Sequence, residues 1–358
     1  MTHGWIRRIL ILLAALGLCV GMLFYSREKP QLKAEHLTLW YAETDCSPTA
    51  MESLLARCLK ETGLQIDVTV FPNEVALGEA FENTMPDLLF CSHIRASQLD
   101  GGGNLSALPA ALPIPDFLSD VRPAAGTSFF PIGSRLPVLL VNTSLTTDTF
   151  DNLESMLDAS ANSPLFVCDR WSELLYTQAA SEGVQLSGIP QQDLENAKIA
   201  ALYNQIALGV FRGSFVRREK PMEYVRQGLV PAALVQSSSL ADIADENLEV
   251  RLLPLPEGAE AQYPAELMGF ALLDGAEAGT AEGFFRWLLS ARGADAALKA
   301  GLAPTMQASG GRTYNGFETL LLSLGEGGAL FYPDADDPYV RNRESCESWL
   351  CETLDLLT

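Results

Sequence analysis

The sequence predicts an α/β protein of about two domains, held outside the cytoplasm behind an apolar N-terminal segment. The chain has 358 residues, and at roughly 150 residues per domain this length suits two domains. Strand-like and helix-like segments alternate through the first hundred residues, a pattern typical of a parallel sheet with helices on both faces. An apolar run of 17 residues, 9–25, follows Arg7 and Arg8.

The N-terminal run is at the lower end of the length, roughly 17–25 residues, that crosses a bilayer as a helix. The two arginines before it place the N-terminus in the cytoplasm and the rest of the chain outside. Leu18 before Cys19 disfavours lipidation, and the following MLFYSREK offers no A-x-A-like cleavage site. We therefore expect an uncleaved anchor over residues 1–29, with a cleaved signal peptide as the alternative.

Composition narrows the class of protein. Hydrophobic residues make up 48% of the chain and charged residues 19%, proportions typical of a globular protein. The formal net charge is −21, which repels nucleic acid, and no basic stripe offsets it.

Seven cysteines leave two interpretations open. Beyond Cys19, pairs Cys46–Cys58 and Cys346–Cys351 are close enough in sequence for disulfides, which the extracellular location permits. The alternative is buried free thiols, which pack as small hydrophobic groups. No Cys/His spacing indicates a zinc site.

The first hundred residues supply three strands and three helices. Ser47 and Pro48 mark a helix start that runs to Thr62 and ends at Gly63. The predicted strands are LTLWYAE (37–43), QIDVTVF (65–71) and PDLLF (86–90), and the other predicted helices are 73–84 and 93–100.

After an irregular segment at 105–127, FFPIGSRLPVLLVNTSL (129–145) contains two apolar runs divided at residues 133–135. Asp148 and Asp151 open a predicted helix, DNLESMLDA. The later predicted strands are 164–170, 230–236, 248–256 and 267–274. The later predicted helices are 171–183, 194–211, 280–291, 294–302 and about 344–357.

Polar and aromatic side chains cluster where predicted strands end. In open α/β sheets, ligands bind beyond the carboxyl ends of the strands. This rule selects Trp40, Tyr41 and Glu43; Ser92 and His93; Asp169, Arg170 and Trp171; and Ser237 and Ser238. Of these, Trp40, Tyr41, Glu43, Ser92, His93, Arg170, Trp171, Ser237 and Ser238 are the predicted ligand-binding residues. Each also has a structural interpretation: Ser92 as a helix cap, His93 and Arg170 as surface residues, and Trp171 as part of the core.

The glycines 101–103 follow a predicted helix, where they act as a helix end rather than a phosphate loop. No catalytic motif is present, and His93 is the one histidine of the predicted folded part that could serve as a general base. Asp336 and Asp337 suit a solvated turn better than a cation site. We therefore predict no catalytic residue, no metal site and no cofactor.

Several segments together resemble extracellular solute-binding proteins of ABC transporters, in the broad sugar-type group. They are LTLWYAE, PDLLFCSHIRASQLDGGGNLSALP, PIGSRLPVLLVNTSL, YVRQGLVPAALVQSSSL and GFALLDGAEAGTAEGFFRWLLS with ARGADAALKAGLAPTMQAS behind it. The resemblance covers roughly residues 35–310 and lies in the order and spacing of these pieces.

The resemblance implies a two-lobed periplasmic-binding-protein-like fold of type II, with a hinge, behind the N-terminal membrane helix. Lobe one would contain 36–136 and 256–312, lobe two 137–255, and 313–358 would form a C-terminal helical segment packing on the lobes. One hinge strand would cross between lobes at 135–137. A monomer would bind a small solute, expected to be a carbohydrate, and deliver it to the permease subunits of an ABC importer.

Two features depart from the group. Serines at 237–239 stand where relatives often carry a tryptophan that stacks on a sugar, although Trp40, Tyr41 and Trp171 could stack instead. Members of the group more commonly carry a lipid anchor, whereas this chain is expected to retain a helical one. Two alternatives follow: a surface sensor or accessory module of the same fold that has lost transport, and a secreted hydrolase that uses His93.

Overall fold

The computed structural model describes residues 36–81, 84–109, 112, 128–148, 165–241, 243, 245–253, 262–276, 278–308, 311–326 and 330–357. The anchor at 1–29, the linker before 36, most of 110–127 and the helix expected after Asp148 lie outside these residues. No helix in the described ranges is long and apolar enough to cross a membrane.

A six-stranded sheet collects strands from both ends of the described chain. Its order is β12-β4-β11-β3-β1-β2. The strands are β1 (His36–Ala42), β2 (Gln65–Phe71), β3 (Leu88–Ser92), β4 (Phe129–Arg135), β11 (Glu266–Leu272) and β12 (Ala303–Pro304). The first three pair in parallel, as predicted, whereas β11 runs antiparallel to both β3 and β4, so the sheet is mixed.

A five-stranded sheet forms from the middle of the chain in the order β7-β6-β8-β5-β9. The strands are β5 (Pro137–Asn142), β6 (Phe166–Cys168), β7 (Phe215–Arg217), β8 (Ala232–Gln236) and β9 (Leu248–Arg251). A two-stranded sheet joins β10 (Tyr263–Pro264) to β13 (Leu330–Phe331). One residue, Leu136, separates β4 of the first sheet from β5 of the second, so the chain crosses between the sheets there.

Helices cover both large sheets. They are α1 (Pro48–Thr62), α2 (Glu74–Ala80), α3 (His93–Gly101), α4 (Trp171–Ser181), α5 (Pro190–Asp193), α6 (Ala197–Phe211), α7 (Pro221–Arg226), α8 (Ala278–Leu288), α9 (Ala291–Lys299), α10 (Gly316–Glu326) and α11 (Pro338–Asp355). A 3₁₀ turn spans Ser237–Leu240. Sequence patterns missed α5, α7, α10 and the very short strands. Helix α11 begins earlier than expected because Asp337 caps it ahead of Pro338.

The central strands are buried on both faces, which explains their unbroken apolar sequence. In β8, Leu234 belongs to a core cluster shared with α4, α6 and α11, whereas Ala233 and Val235 belong to a cluster on the opposite face. In β3, Phe90 and Leu89 divide in the same way between two clusters of the other sheet.

The six cysteines between 46 and 351 form no disulfide among the described residues. Cys346 and Cys351 lie five residues apart on α11, and at 3.6 residues per turn their side chains leave different faces of the helix. Burial raises the pKa of both Cys91 and Cys168. The two disulfides considered from sequence, Cys46–Cys58 and Cys346–Cys351, are therefore absent from this structure.

Candidate functional site

A cavity of about 590 Å³ opens between the edges of the two large sheets. The six-stranded sheet contributes the loops after β1 and β2 and the ends of β4 and β11, whereas the five-stranded sheet contributes the segments after β6 and β8. Helices α4 and α11 complete the wall. Polar lining residues include Thr44, Asn73, Glu74, Arg135, Asp169, Arg170, Glu173, Tyr176, Thr177, Lys220, Glu223, Gln236, Ser239, Glu266, Tyr339, Arg343 and Glu344.

A buried ion network lies at the crossing between the sheets. Arg135 places Nη1 2.7 Å from Oδ1 of Asp45 and Nη2 2.5 Å from Oε2 of Glu266. Burial raises the pKa of Asp45 to about 6, an effect that Arg135 opposes. Burial acts in the same direction on Glu266, but the charges of Arg135 and Arg343 outweigh it and lower the pKa of Glu266 to about 2.

Helix α11 connects the network to the second sheet. Arg343 Nη1 lies 3.4 Å from Oε1 of Glu266, and Arg170 Nη1 lies 2.7 Å from Oε1 of Glu344. The rings of Tyr176 on α4 and Tyr339 on α11 stack with centroids 3.9 Å apart. These contacts attach the C-terminal helix to the wall of the cavity.

Two acidic side chains stand at the start of α4. Glu173 accepts a hydrogen bond from the amide of Gln236. Burial, followed by the nearby charge of Asp169, raises the pKa of Glu173 to about 7. Burial also raises the pKa of Asp169. Neither carboxylate forms an ion pair with any residue that the structure describes.

The N-terminus of α4 already holds a carboxylate of the chain itself. Glu347 of α11 accepts hydrogen bonds from the backbone N–H of Ser172 at 2.7 Å and from that of Trp171 at 3.3 Å. A helix N-terminus attracts anions because its first amides lack partners within the helix. Here Glu347 satisfies two of them.

Of the nine predicted ligand-binding residues, Arg170 lines the cavity, together with its neighbour Asp169. Trp40 packs against Phe71 with ring centroids 5.1 Å apart, and Tyr41 is 1% exposed in the core. Glu43 is exposed beside the lining residue Thr44. None of these three side chains reaches the cavity.

The other predicted residues of the first sheet are structural. Ser92 caps α3, since its hydroxyl accepts a hydrogen bond from Arg95 N. His93 is fully buried. Its Nε2 lies 2.8 Å from Pro333 O, and its Nδ1 accepts from Leu267 N at 3.1 Å. Both ring nitrogens are therefore engaged, which leaves none for the base of a hydrolase.

The remaining predicted residues lie at the core and at the crossing. Trp171 is 2% exposed in the core under α4. Ser237 hydrogen-bonds to both sides of the crossing residue: its N–H donates to Leu136 O and its hydroxyl accepts from Leu136 N. Ser237 and Ser238 are buried against Gly301. These serines therefore hold the two sheets together.

The strand-end rule selected the edge at which the cavity opens, but it missed most of the residues that line the cavity. Asn73 and Glu74 follow β2, a strand end that the sequence analysis passed over, and Glu173 lies one helical turn beyond Asp169. Arg343 and Glu344 come from α11, and no local signal links that helix to the site. The glycines 101–103 end α3, with Gly103 at φ +72°, as expected of a helix exit.

No group of three or more His, Cys, Asp or Glu side chains that could hold a metal ion occurs in the described ranges. Both acidic residues considered at the end of the chain have a structural explanation. Asp337 caps α11, and Asp336 pairs with Arg341.

No protein-family model matches the chain, and no curated protein sequence does either. Solved structures, in contrast, match over most of its length. The spermidine/putrescine ABC transporter substrate-binding protein PotD of Streptococcus pneumoniae is 13% identical, with a TM-score of 0.64, over 90% of this chain and 99% of that one.

Two further structures match in the same way. The GacH receptor of Streptomyces glaucescens, solved unliganded and with acarbose, is 13% identical over 90% of this chain and 94% of its own, with a TM-score of 0.66. Iron-bound HitA of Pseudomonas aeruginosa is 17% identical over 88% and 99%, with a TM-score of 0.59. The chain therefore shares the fold of solute-binding proteins, whose ligands differ widely.

Proposed function

We propose that this chain is a non-enzymatic, extracellular or periplasmic solute-binding protein that captures a small solute for an ABC importer. The observation that carries this proposal is the cavity of about 590 Å³, lined from the edges of both large sheets. A volume of this size suits a small ligand, for which sites run to about 300–1,000 Å³. The shared fold with transporter substrate-binding proteins supports the same assignment.

The two sheets act as the cores of two lobes, 36–136 with 256–312 and 137–255, in a type II arrangement. Leu136 lies at one crossing between them, and the chain returns before Glu266. Changes of backbone angle at such crossings allow hinge closure around a ligand. A ligand that contacts both lobes stabilises the closed form, which the permease subunits then recognise.

A carbohydrate is one candidate solute, supported by the aromatic rings of Tyr176 and Tyr339 in the lining. The expected stacking residues Trp40, Tyr41 and Trp171 do not line the cavity, so carbohydrate has less support than the sequence suggested. We retain the uncleaved anchor over residues 1–29 and the monomeric state as proposals. A sensor module that keeps the same cavity remains the alternative to transport.

The test is ligand binding by the full chain in detergent, measured by calorimetry against sugars, amines, small anions and metal ions. Val75 lines the cavity and is 71% exposed, so Val75→Trp obstructs the cavity without disturbing the core. We expect this variant to lose binding. Val68→Trp makes the same change at a residue that is 40% exposed and lies outside the lining, and it should bind normally.

Failure of every solute class to bind the folded protein contradicts the proposal. Co-purification distinguishes the transport hypothesis from the sensor hypothesis. A solute-dependent complex with membrane permease subunits supports transport, whereas a complex with a membrane sensor supports the alternative.

A further inference from the structure

The positive charges that line the cavity are either paired with carboxylates of the chain or exposed to solvent. Arg135 is held by Asp45 and Glu266, and Arg170 is held by Glu344. Arg343 lies 3.4 Å from Glu266. Lys220 is exposed, so its charge is hydrated. An anionic solute would have to displace a carboxylate of the chain from its partner.

The other usual anion site, the N-terminus of a helix, is also taken. Glu347 accepts hydrogen bonds from two backbone amides at the start of α4. This residue of α11 is only 9% exposed. The amides that would otherwise bind a phosphate or carboxylate group are satisfied within the protein.

Two carboxylates at the start of α4 are in the opposite situation. Asp169 and Glu173 line the cavity without an ion pair to any described residue, and the one side-chain donor to Glu173 is the neutral amide of Gln236. Glu173 is half-buried, whereas Asp169 is exposed beside it. A half-buried carboxylate such as that of Glu173 is costly without a cation, and that cost is relieved when a cation arrives.

A polar group without a partner lies on the same helix. Thr177 lines the cavity at 1% exposure, and its Oγ1 has no hydrogen-bond partner among the described residues. It follows Glu173 by four residues on α4, so the two side chains lie about 6 Å apart along one face. The hydroxyl of Tyr176 is likewise buried without a partner. Buried hydroxyls are normally hydrogen-bonded, so a ligand group is the natural partner here.

We propose that the cavity selects an organic cation with N–H donors, such as an alkylammonium group, held by Asp169 and Glu173 with Thr177 accepting a further hydrogen bond. This inference rests on the proposed solute-binding function and names its solute class. Two carboxylates and a hydroxyl suit an ammonium group, which has three donors and no acceptor. The described ranges contain no group of three or more side chains able to hold a metal ion, which favours an ammonium group over a bare metal.

Acidity should weaken this binding. The pKa of Glu173 is about 7 because of burial and of the neighbouring Asp169, with Arg343 and Arg135 opposing the shift and Glu266 adding to it. Protonation below pH 7 removes the charge that the cation meets. Affinity for an amine should therefore fall as the pH falls from 8 to 6.

The experiment is calorimetric titration of the full chain in detergent with four-carbon probes that differ in charge: 1,4-diaminobutane, butane-1,4-diol and succinate. Spermidine and arginine extend the range of cations, while maltose and calcium test a neutral sugar and a metal ion. We expect at least one organic cation to bind, and the diol and succinate to bind at least about tenfold more weakly.

Three variants locate the site. Glu173→Gln and Asp169→Asn keep side-chain size and remove charge, and each should weaken the bound amine about ten- to hundredfold. Glu195→Gln makes the same charge change at an exposed residue outside the cavity and should bind like the unchanged chain. Thr177→Val removes only the hydroxyl and should weaken the amine while leaving the fold intact.

The outcomes are distinct. Binding of maltose, succinate or calcium without any organic cation overturns the inference and leaves solute binding standing. Amine binding that is unaffected by Glu173→Gln and Asp169→Asn overturns the assigned position. If no probe of any class binds the folded chain, the proposed function fails and the inference fails with it.

Discussion

Glu266 lies directly opposite Arg135 in the antiparallel pair of β11 and β4, and Glu266 Oε2 lies 2.9 Å from Arg135 Nε and 2.5 Å from Nη2. The cross-strand register therefore brings one carboxylate against two nitrogens of the guanidinium at the point where the chain leaves the first sheet. Asp45 binds the remaining Nη1. These contacts fix the position of Arg135, the last residue of β4, beside the crossing residue Leu136.

Replacing Arg135 with Met should strongly destabilise the protein. The change leaves the buried Asp45 without a cation and leaves Glu266 with Arg343 alone, which costs about 3–5 kcal/mol of unfolding free energy. Urea unfolding followed by circular dichroism measures the loss. Arg341→Met breaks an exposed pair with Asp336 and should cost less than about 1 kcal/mol. Equal effects of the two variants would contradict the structural role of Arg135.

Gly301 tests the contact between the sheets at the serines. It has φ +71°, and a Cβ there would come within 2.3 Å of Ser237 O. Gly301→Ala should cost about 2–4 kcal/mol, the sum of left-handed strain and a backbone clash. Gly63→Ala imposes similar strain, at φ +78°, with no atom within 4 Å, and should cost about 1–2 kcal/mol. Thermal or urea unfolding compares the two, and an equal cost would show that the clash is relieved.

His93 should matter for stability and not for binding. His93→Ala leaves Leu267 N–H and Pro333 O without their partner, at a cost of about 2–4 kcal/mol. Burial lowers the pKa of His93, so the folded state resists protonation. Stability from this residue is present above about pH 6.5 and is lost as the pH falls.

Urea unfolding of the His93 variant at pH 8 and pH 5 checks both statements. The difference from the unchanged chain should shrink at the lower pH. Ligand affinity of the folded variant should stay within about twofold, since His93 lies outside the cavity lining. A large loss of affinity in a folded variant would return His93 to the site.

Glu173 should make the ligand-free protein less stable at high pH. Burial, with Asp169, raises its pKa in the folded state from 4.5 to about 7. The associated stability is present below pH 4.5 and is lost as the pH rises through 7. Glu173→Gln removes this dependence and should raise the unfolding free energy at pH 8 by about 1–2 kcal/mol, allowing for screening of a half-buried group.

The difference in unfolding free energy between the Glu173 variant and the unchanged chain should change most clearly between pH 6 and 7. This range lies above the pKa of about 6 that burial gives Asp45, so titration of Asp45 contributes less there. Glu195→Gln, at an exposed position, is the matched control and should change stability little between pH 6 and pH 8. A Glu173 variant that is less stable than the unchanged chain at pH 8 would show that its carboxylate is well solvated.

Local sequence signals determined the main elements. Alternating or continuous apolar residues identified β1, β2, β3 and β8, and Ser47 with Pro48 correctly marked the start of α1. The helices α5, α7 and α10 escaped detection, as did β7 and the two-residue strands. Strands of two or three residues and helices of four to six residues are too short to show a periodicity of their own. The antiparallel direction of β11 was also beyond reach, since it depends on how distant segments pair.

The residues of the candidate site were likewise predicted only in part from local sequence. Polar residues after strand ends marked the edge of each sheet where the cavity opens, and among them Asp169 and Arg170 line it. Tyr41, His93 and Ser237 have equally suitable sequence positions, but packing turned their side chains into the core or against the crossing. A side chain's direction at a strand end depends on the elements that cover it, which local sequence does not contain.

The sequence by itself determined an α/β chain with an acidic surface and strand ends suited to a ligand. Tertiary structure decided which residues line the cavity, because its wall joins Glu266 of β11 and Arg343 of α11 to Glu173 of α4. These residues are far apart in the chain and carry no shared local pattern. Their contacts arise only when the two sheets and the C-terminal helix pack together, and within the described ranges this packing leaves Asp169 and Glu173 without an ion pair.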